Sequence, residues 1–408
     1  MDRNWAGNLT YTGRIVAPSS VAEVQETVAG TTGPLRALGS RHSFNDIADS
    51  PGVLLSLENL PPDIEITAEH VTVSAGTRYG VLAEALRERD LALANLASLP
   101  HIGVAGAIAT GTHGSGDRNG NLATAVAALD IVGPDGELRR IRRGDAEFAG
   151  SVVALGALGV VTRVTLDVRP AFTLRQDVYP AVAWEPVLDE LGAVLASGYS
   201  VSLFTDWTGD HIGQVWIKSA GTTPPADLHG VRPATTQLHM LAGEPADAVT
   251  EQLGVPGPWL DRLPHFRMGH KPSAGEELQS EYLVPREHAV EAIVLLRMMS
   301  LRIAPLLHVS EIRSVAADEL WLSGAHGHDV VAVHFTWRLD PPGVGALLPE
   351  IEAQLLPLGA RPHWGKVFAA TAPELAPLYP MWTDFAELRR TADPDGRFAN
   401  AYTGRVLG

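Results

Sequence analysis

Apolar positions recur along this chain in two rhythms, and the rhythm changes near its middle. In residues 19–30 they fall at Val21, Val24 and Val28, the spacing of one helix face, behind the capping box Ser20-x-x-Glu23 and ahead of Gly30 as a stop. Tyr79 to Arg89 repeats the pattern with Leu82, Ala85 and Leu86 on one face. Between and after them come short apolar runs that end in Ser or Gly or at a Pro134-Asp135-Gly136 turn: Leu35 to Leu38, Val53 to Leu57, Val71 to Ala75, Val126 to Val132, Leu138 to Ile141, and strands within 155–170. These predict an α+β unit that closes near Pro170. The second half adds a helix predicted over 287–302 and strands that alternate strictly, as an antiparallel sheet does with one face on a core and one on a cleft. Residues 219–262, rich in Pro, Gly and Thr, read as a surface excursion.

The alternation assigns faces. In VSEIRSV, Glu311 and Arg313 share one face and Ile312 takes the other; in VVAVHFTW, His334 and Thr336 oppose Val333, Phe335 and Trp337; in HWGKV, Trp364, Lys366 and Phe368 share a face. A sheet with polar residues on one side and aromatics on the other has either a wet surface or a polar cleft. On the first reading Glu311 and Arg313 form a solvated salt bridge worth under about 1 kcal/mol.

Neither rhythm holds at 95–120, NLASLPHIGVAGAIATGTHGSGDRNG, where small residues dominate. Gly103, Gly106, Gly111, Gly114 and Gly116 are interleaved there with Thr110, Thr112, His113 and Ser115. Such a loop either cradles a pyrophosphate with backbone N–H and hydroxyl donors or is a set of tight turns. A second Gly/Ser turn, Leu38-Gly39-Ser40-Arg41-His42-Ser43-Phe44-Asn45, carries a histidine. The phosphate-loop pattern G-x-x-x-x-G-K-S/T is absent, and the G-x-G at Gly343 follows two prolines instead of a strand. Residue 113 before Gly114-Ser115-Gly116 is His, so no hydrolase elbow is formed. His326-Gly327-His328-Asp329 has no second pair at ligand spacing and reads as a surface turn, and His101 as a structural turn residue.

Composition narrows the classes. Lys plus Arg is 31 against 47 Asp plus Glu, a net charge of −16, which disfavours nucleic acid and acidic membranes as partners. Cysteine is absent, so disulfides, thiolate metal sites and Cys nucleophiles are excluded together. No stretch approaches the ~18 consecutive apolar residues of a membrane span, and the first residues lack a basic-then-apolar leader, so a cytoplasmic chain is expected.

GSRHSFN at 39–45 with SLPHIGVAGAIATGTHGSG at 98–116 resembles the FAD-binding domain of the vanillyl-alcohol-oxidase-type flavoproteins. The resemblance spans nearly the whole chain. It narrows to the alditol oxidase (xylitol/sorbitol oxidase) branch through NWAGN at 4–8, SLFTDW at 202–207, QLGVPGPW at 252–259, LQSEY at 278–282, SEIRSVAAD at 310–318, VHFTW at 333–337, RPHWGKVF at 361–368 and DPDGRFAN at 393–400. It implies an FAD-binding domain over 1–172, completed by 375–408, and a substrate domain over 173–374 built on the antiparallel sheet. It implies that Ala37, Leu38, Gly39, Ser40, Arg41, His42 and Ser43 wrap FAD, that His42 bonds its isoalloxazine covalently, and that Ser98, Gly103, Gly106, Thr110, Gly111, Thr112, His113 and Val161 contact it. Arg41 and Gly103 stand where relatives carry Gly and Ser. Ser98, Glu311, Arg313, His334, Thr336 and Lys366 occupy the family's polyol-binding and catalytic positions.

The activity so implied is oxidation of a polyol's primary alcohol to the aldose, with hydride passing to flavin and O2 giving H2O2, by a monomer without a metal. Cations near the reacting oxygen suit developing alkoxide charge, a role for Arg313 and Lys366. His334, with an unperturbed pKa of ~6.5, is the expected base. Glu311, Ser98 and Thr336 orient the hydroxyls. An aldonolactone oxidase or dehydrogenase of the same flavin class, or a noncatalytic sugar- or nucleotide-binding protein, are the alternatives.

Overall fold

The structure is a computed structural model that describes residues 2–241, 243–269 and 277–408; Ala242 and residues 270–276, within the expected substrate domain, lie outside the described residues. Its first part holds three sheets, the smallest a pairing of Leu91–Ala92 with Arg169–Pro170. Arg14–Val16, Val53–Ser56 and Leu35–Leu38 form a parallel sheet with Val53–Ser56 in the centre. Glu65–Ile66, His70–Ser74, Val160–Asp167, Val126–Val132 and Leu138–Arg142 form an antiparallel one in that order. Helix Val21–Gly30 starts where Ser20 caps Glu23 N, and it buries Val24 and Val28. Helix Tyr79–Arg87 buries Tyr79, Leu82, Ala83 and Leu86.

The second part is one eight-stranded antiparallel sheet: Gly257–Pro258, Thr173–Ala183, His211–Ala220, Ser200–Thr205, Leu307–Val315, Val330–Arg338, Glu277–Pro285 and Arg361–Pro362. One face packs Ile312, Val333, Phe335, Trp337 and Tyr282 against Ile293 and Leu296 of helix Ala289–Met298 and Leu347, Ile351 and Leu355 of helix Pro341–Leu355. Its other face turns to the first part. Residues near the C-terminus pack into the first part's cores: Phe398 joins Val24 and Leu35, while Tyr402 and Val406 join Val104 and Leu155. Arg36, buried, donates from Nη1 to Phe398 O at 2.6 Å, and Asn400 Nδ2 to Asp49 O at 2.8 Å.

Three local expectations need correction. The helix over 287–302 is broken into Arg286–His288, Ala289–Met298 and Ser300–Ile303, with Met299 leaving helical geometry before Pro305 ends the run. Residues 219–262 are only partly a surface excursion, because Gly257–Pro258 pairs with the strand beginning at Thr173, and Leu228, Val249, Gln252 and Trp259 are buried. Within 95–120 lies a helix, Val104–Ala109, whose Val104, Ala107 and Ile108 are buried. A one-and-a-half-turn helix packed in a core needs no charged face, so it carries no helical charge pattern. Among the described residues no helix is long and apolar enough to cross a membrane.

Candidate active site

A single cavity of about 770 Å³ lies between the glycine turns and the free face of the large sheet. Its first wall is mostly backbone. The Leu35–Leu38 strand delivers the chain into the turn at Gly39, and Ala37, Gly39, Ser40, Arg41, His42 and Ser43 line the cavity. Ser98, Gly103, Gly106, Thr110, Thr112, His113 and Val161 line it too. The two turns are tied together: Gly103 N donates to Ser40 Oγ at 2.9 Å, and Ser40 Oγ meets His42 Nδ1 at 3.1 Å. Two expected contacts fall elsewhere. Leu38 packs against Tyr11 and Leu54, and Gly111, at φ +64°, turns the chain without lining the cavity. Arg41 sits at φ +63°, a conformation suited to glycine, while its guanidinium pairs with Asp2 at 3.1 Å.

The second wall is charged side chain. Register sets Glu281, His334, Glu311 and Phe204 in one cross-strand row, so all four share a face. Arg313, two residues beyond Glu311, reaches back along that face to donate from Nη2 to Glu281 Oε1 at 2.5 Å, and from Nη1 to Ser98 Oγ at 3.4 Å. Thr336 Oγ1 stands 3.0 Å from His334 Nε2. Glu311 Oε2 and Arg313 Nε are 3.6 Å apart, and Nε, although buried, has no hydrogen-bond partner.

Lys366 arrives by a route that differs from the expectation. Residues 363–368 form a turn, not a strand, so period two does not apply. Trp364 points into the first core with Nε1 on Leu322 O, whereas Lys366 Nζ donates to Glu281 Oε2 at 2.6 Å and contacts His334 Nδ1 at 2.7 Å. The turn is clamped from the first wall. Asn45 Nδ2 donates to both Trp364 O and Lys366 O, at 2.8 and 2.7 Å, and Phe44 N to Gly365 O.

Burial dominates the electrostatics. It alone would raise the Glu281 carboxyl, but Lys366, then His113 and Arg313, hold it well below the usual carboxylate range. The same balance, with the Arg313 charge and the His265 hydrogen bond opposing burial, keeps Glu311 ionised. Burial, and then the Lys366 charge, push His334 well below the ordinary imidazole value. The expectation of a base that titrates near neutral pH is thereby corrected: the ring is neutral because solvent cannot support its charge. Burial lowers Lys366 as well, against the pull of Glu281, and it lowers His42 to about 4 together with the Arg78 charge.

Three residues of this site escaped sequence reasoning. Glu281 joins Arg313 to Lys366, and its signal was present in LQSEY, where Gln279 and Glu281 stand two apart as Glu311 and Arg313 do. His265 donates from Nε2 to Glu311 Oε1 at 2.7 Å, and Lys218 Nζ lies 3.0 Å from His265 Nδ1. His265 sits in irregular chain, where no pattern marks it. Lys218, within an apolar strand, was a signal left unread.

Residues 13–142 match the family described as FAD binding domain, and residues 276–406 the family described as D-arabinono-1,4-lactone oxidase. The chain is 46% identical to alditol oxidase from a Streptomyces species over 99% of its own length and 98% of the other. It is 31% identical to L-gulono-1,4-lactone dehydrogenase from Mycobacterium tuberculosis, again over 99% and 98%. A solved structure of cholesterol oxidase from B. sterolicum superimposes with a TM-score of 0.80 over 100% of this chain and 96% of that one at 16% identity, a likeness of fold. The two-walled cavity, the FAD-domain match and the full-length identity converge: this chain belongs to the FAD-dependent oxidoreductases that include alditol oxidase and the aldonolactone oxidases and dehydrogenases.

Proposed function

We propose that the protein oxidises the terminal primary alcohol of a polyol such as xylitol or sorbitol to the aldose, with FAD, bonded to His42, taking the hydride and O2 taking the electrons on to H2O2. The cavity fits that cofactor. A Cβ placed on Gly39 or Gly106 would meet no atom within 4 Å, so both positions leave open space where a flat, phosphate-bearing group can approach backbone. His42 remains a neutral imidazole at neutral pH, the state in which a ring nitrogen can bond carbon. Residues 1–172 with 375–408 form the cofactor part on this reading, and 173–374 the substrate part.

The observation that carries the substrate class is the gap between Glu311 Oε2 and Arg313 Nε. A hydroxyl placed there accepts from Nε–H and donates to the carboxylate at once, and a polyol offers such a group on every carbon. Ser98 and Thr336 complete its orientation. Arg313, held cationic by Glu311 and Glu281, faces the oxygen on which charge develops. His334 is placed to accept the proton of the reacting hydroxyl at Nε2, in place of the contact with Thr336, with the Glu281 carboxylate beside both His334 and Lys366 to balance the added charge.

The D-arabinono-1,4-lactone oxidase match over residues 276–406 favours a second reading, lactone oxidation on the same wall. Anaerobic mixing with xylitol, sorbitol, glycerol and an aldonolactone, watching flavin bleaching and then admitting air, separates the two. Bleaching by polyols with fast recolouring in air is expected; bleaching by the lactone alone overturns the substrate, and recolouring only with an artificial dye overturns the oxidase step. Acid precipitation tests the linkage, with yellow colour expected to stay in the protein pellet.

A further inference from the structure

Behind Glu311 lie two buried ionisable groups that the reaction above leaves unused. Lys218, in strand His211–Ala220, is 1% exposed, and its Nζ donates to Leu263 O at 2.6 Å and to His265 Nδ1 at 3.0 Å. That contact commits Nδ1 as an acceptor and leaves the ring proton on Nε2, which donates to Glu311 Oε1 at 2.7 Å. The ring is gripped edge-on by Phe204 and Trp216, with centroids 5.5 and 5.3 Å away. Its own backbone N donates to Ser98 O at 3.1 Å, so one residue braces two substrate-side positions. Burial, then the Lys218 charge, lower His265 to about 4, so the ring stays a neutral single donor under working conditions.

We infer that His265, anchored by Lys218, is a positioning residue that ties down Glu311 Oε1 and so reserves Oε2 for a substrate hydroxyl. Without the donor, Glu311 is free to rotate toward Arg313, close the 3.6 Å gap and occupy the place of that hydroxyl. The effect belongs to substrate binding, because the hydroxyl concerned is bonded equally before and during hydride loss. The identity of that hydroxyl rests on the polyol reading; the coupling of His265 to Glu311 does not.

The test is a double-mutant cycle on the FAD-loaded protein, by stopped-flow reduction with xylitol, read as substrate dissociation constant and limiting reduction rate. His265→Leu is expected to weaken binding roughly 10- to 100-fold, the worth of a hydrogen bond to a charged group, with the limiting rate within about 3-fold of wild type. His265→Gln, which keeps an N–H donor, is expected to recover most of the loss. In a Glu311→Gln background, His265→Leu should add less than about 3-fold, because the partner it acts through is already altered. Full additivity in that background, unchanged binding in His265→Leu, or a Gln variant as weak as the Leu variant would overturn the inference. Imidazole nitrogen NMR on the wild-type holoprotein needs no variant: a neutral Nε2–H ring is expected for His265, and an Nδ1–H ring would overturn the arrangement. If the lactone, not xylitol, bleaches the wild type, the polyol reading falls and the same cycle is run with the lactone, where the coupling stands or fails on its own.

Discussion

The two walls of the cavity are built on opposite principles. The glycine wall uses backbone and hydroxyls, with few charges, and tolerates a large flat group because side chains are missing where it would lie. The sheet wall packs Glu281, Glu311, Arg313, His334 and, from its turn, Lys366 with almost no water exposure, so each charge depends on its neighbours for compensation. One wall is shaped by absence and can lose single contacts. The other is a charge network in which removal of one member strands the rest.

Glu281→Ala should show that contrast at its largest. It leaves Arg313 and Lys366 buried without their shared carboxylate, and a loss of about 3–5 kcal/mol in urea-unfolding stability is expected. A loss under about 1 kcal/mol, the value for an exposed pair, would break the comparison. Lys366→Met comes next: turnover by stopped-flow reduction should fall ~10²–10³-fold, as when one charge-stabilising donor is removed, with little change in substrate dissociation constant and with flavin retained. An unchanged reduction rate would take Lys366 out of the chemistry.

Acid should attack the sheet wall first. His265, His334 and His363 have folded-state pKa values depressed by burial, so between about pH 6.5 and their folded values the unfolded chain binds protons that the folded one does not. Stability is therefore present above pH 6.5 and falls as pH drops; His265 alone, at about 4, accounts for up to about 3 kcal/mol. Glu281, held low, adds its own loss below about pH 4.3. Hydrogen exchange across this range should show Glu277–Pro285 and Leu307–Val315 losing protection before Leu35–Leu38. The smallest effect lies on the other wall. Gly106→Ala, in helix Val104–Ala109 and open to the cavity, should stabilise the FAD-free chain by roughly 0.5–1 kcal/mol while weakening FAD retention. Stabilisation with FAD retention unchanged would mean that the glycine is not there for the cofactor.

The same contrast explains what was legible in the sequence. The glycine wall shows as composition, since small residues at 95–120 mark close backbone approach or tight turns, and the structure has both, with Gly106 open to the cavity and Gly111 at φ +64°. Polar residues at Glu311, Arg313, His334 and Thr336 show as period two. What stayed hidden is whatever depends on a third dimension: that register sets Glu281 opposite His334 and within reach of Arg313 and Lys366, that Lys366 enters on a turn, and that His265 folds back from irregular chain onto Glu311. Register is a property of two strands together, and neither carries it alone.

The C-terminal segment sets an order of events during synthesis. Arg36, beside the first glycine turn, binds Phe398 O across 362 residues of chain, Leu35 N donates to Arg397 O, and Asn400 closes on Asp46, Ile47 and Asp49. The segment that backs the cradle thus leaves the ribosome after the glycine turns and after the large sheet. During translation the large sheet has both its strands and its covering helices in hand, whereas the nascent N-terminal part waits with Val24, Leu35 and the other neighbours of Phe398 uncovered. A chain interrupted shortly before residue 397 would carry the strands and helices of the large sheet beside an N-terminal part whose Val24 and Leu35 lack Phe398 as a core neighbour.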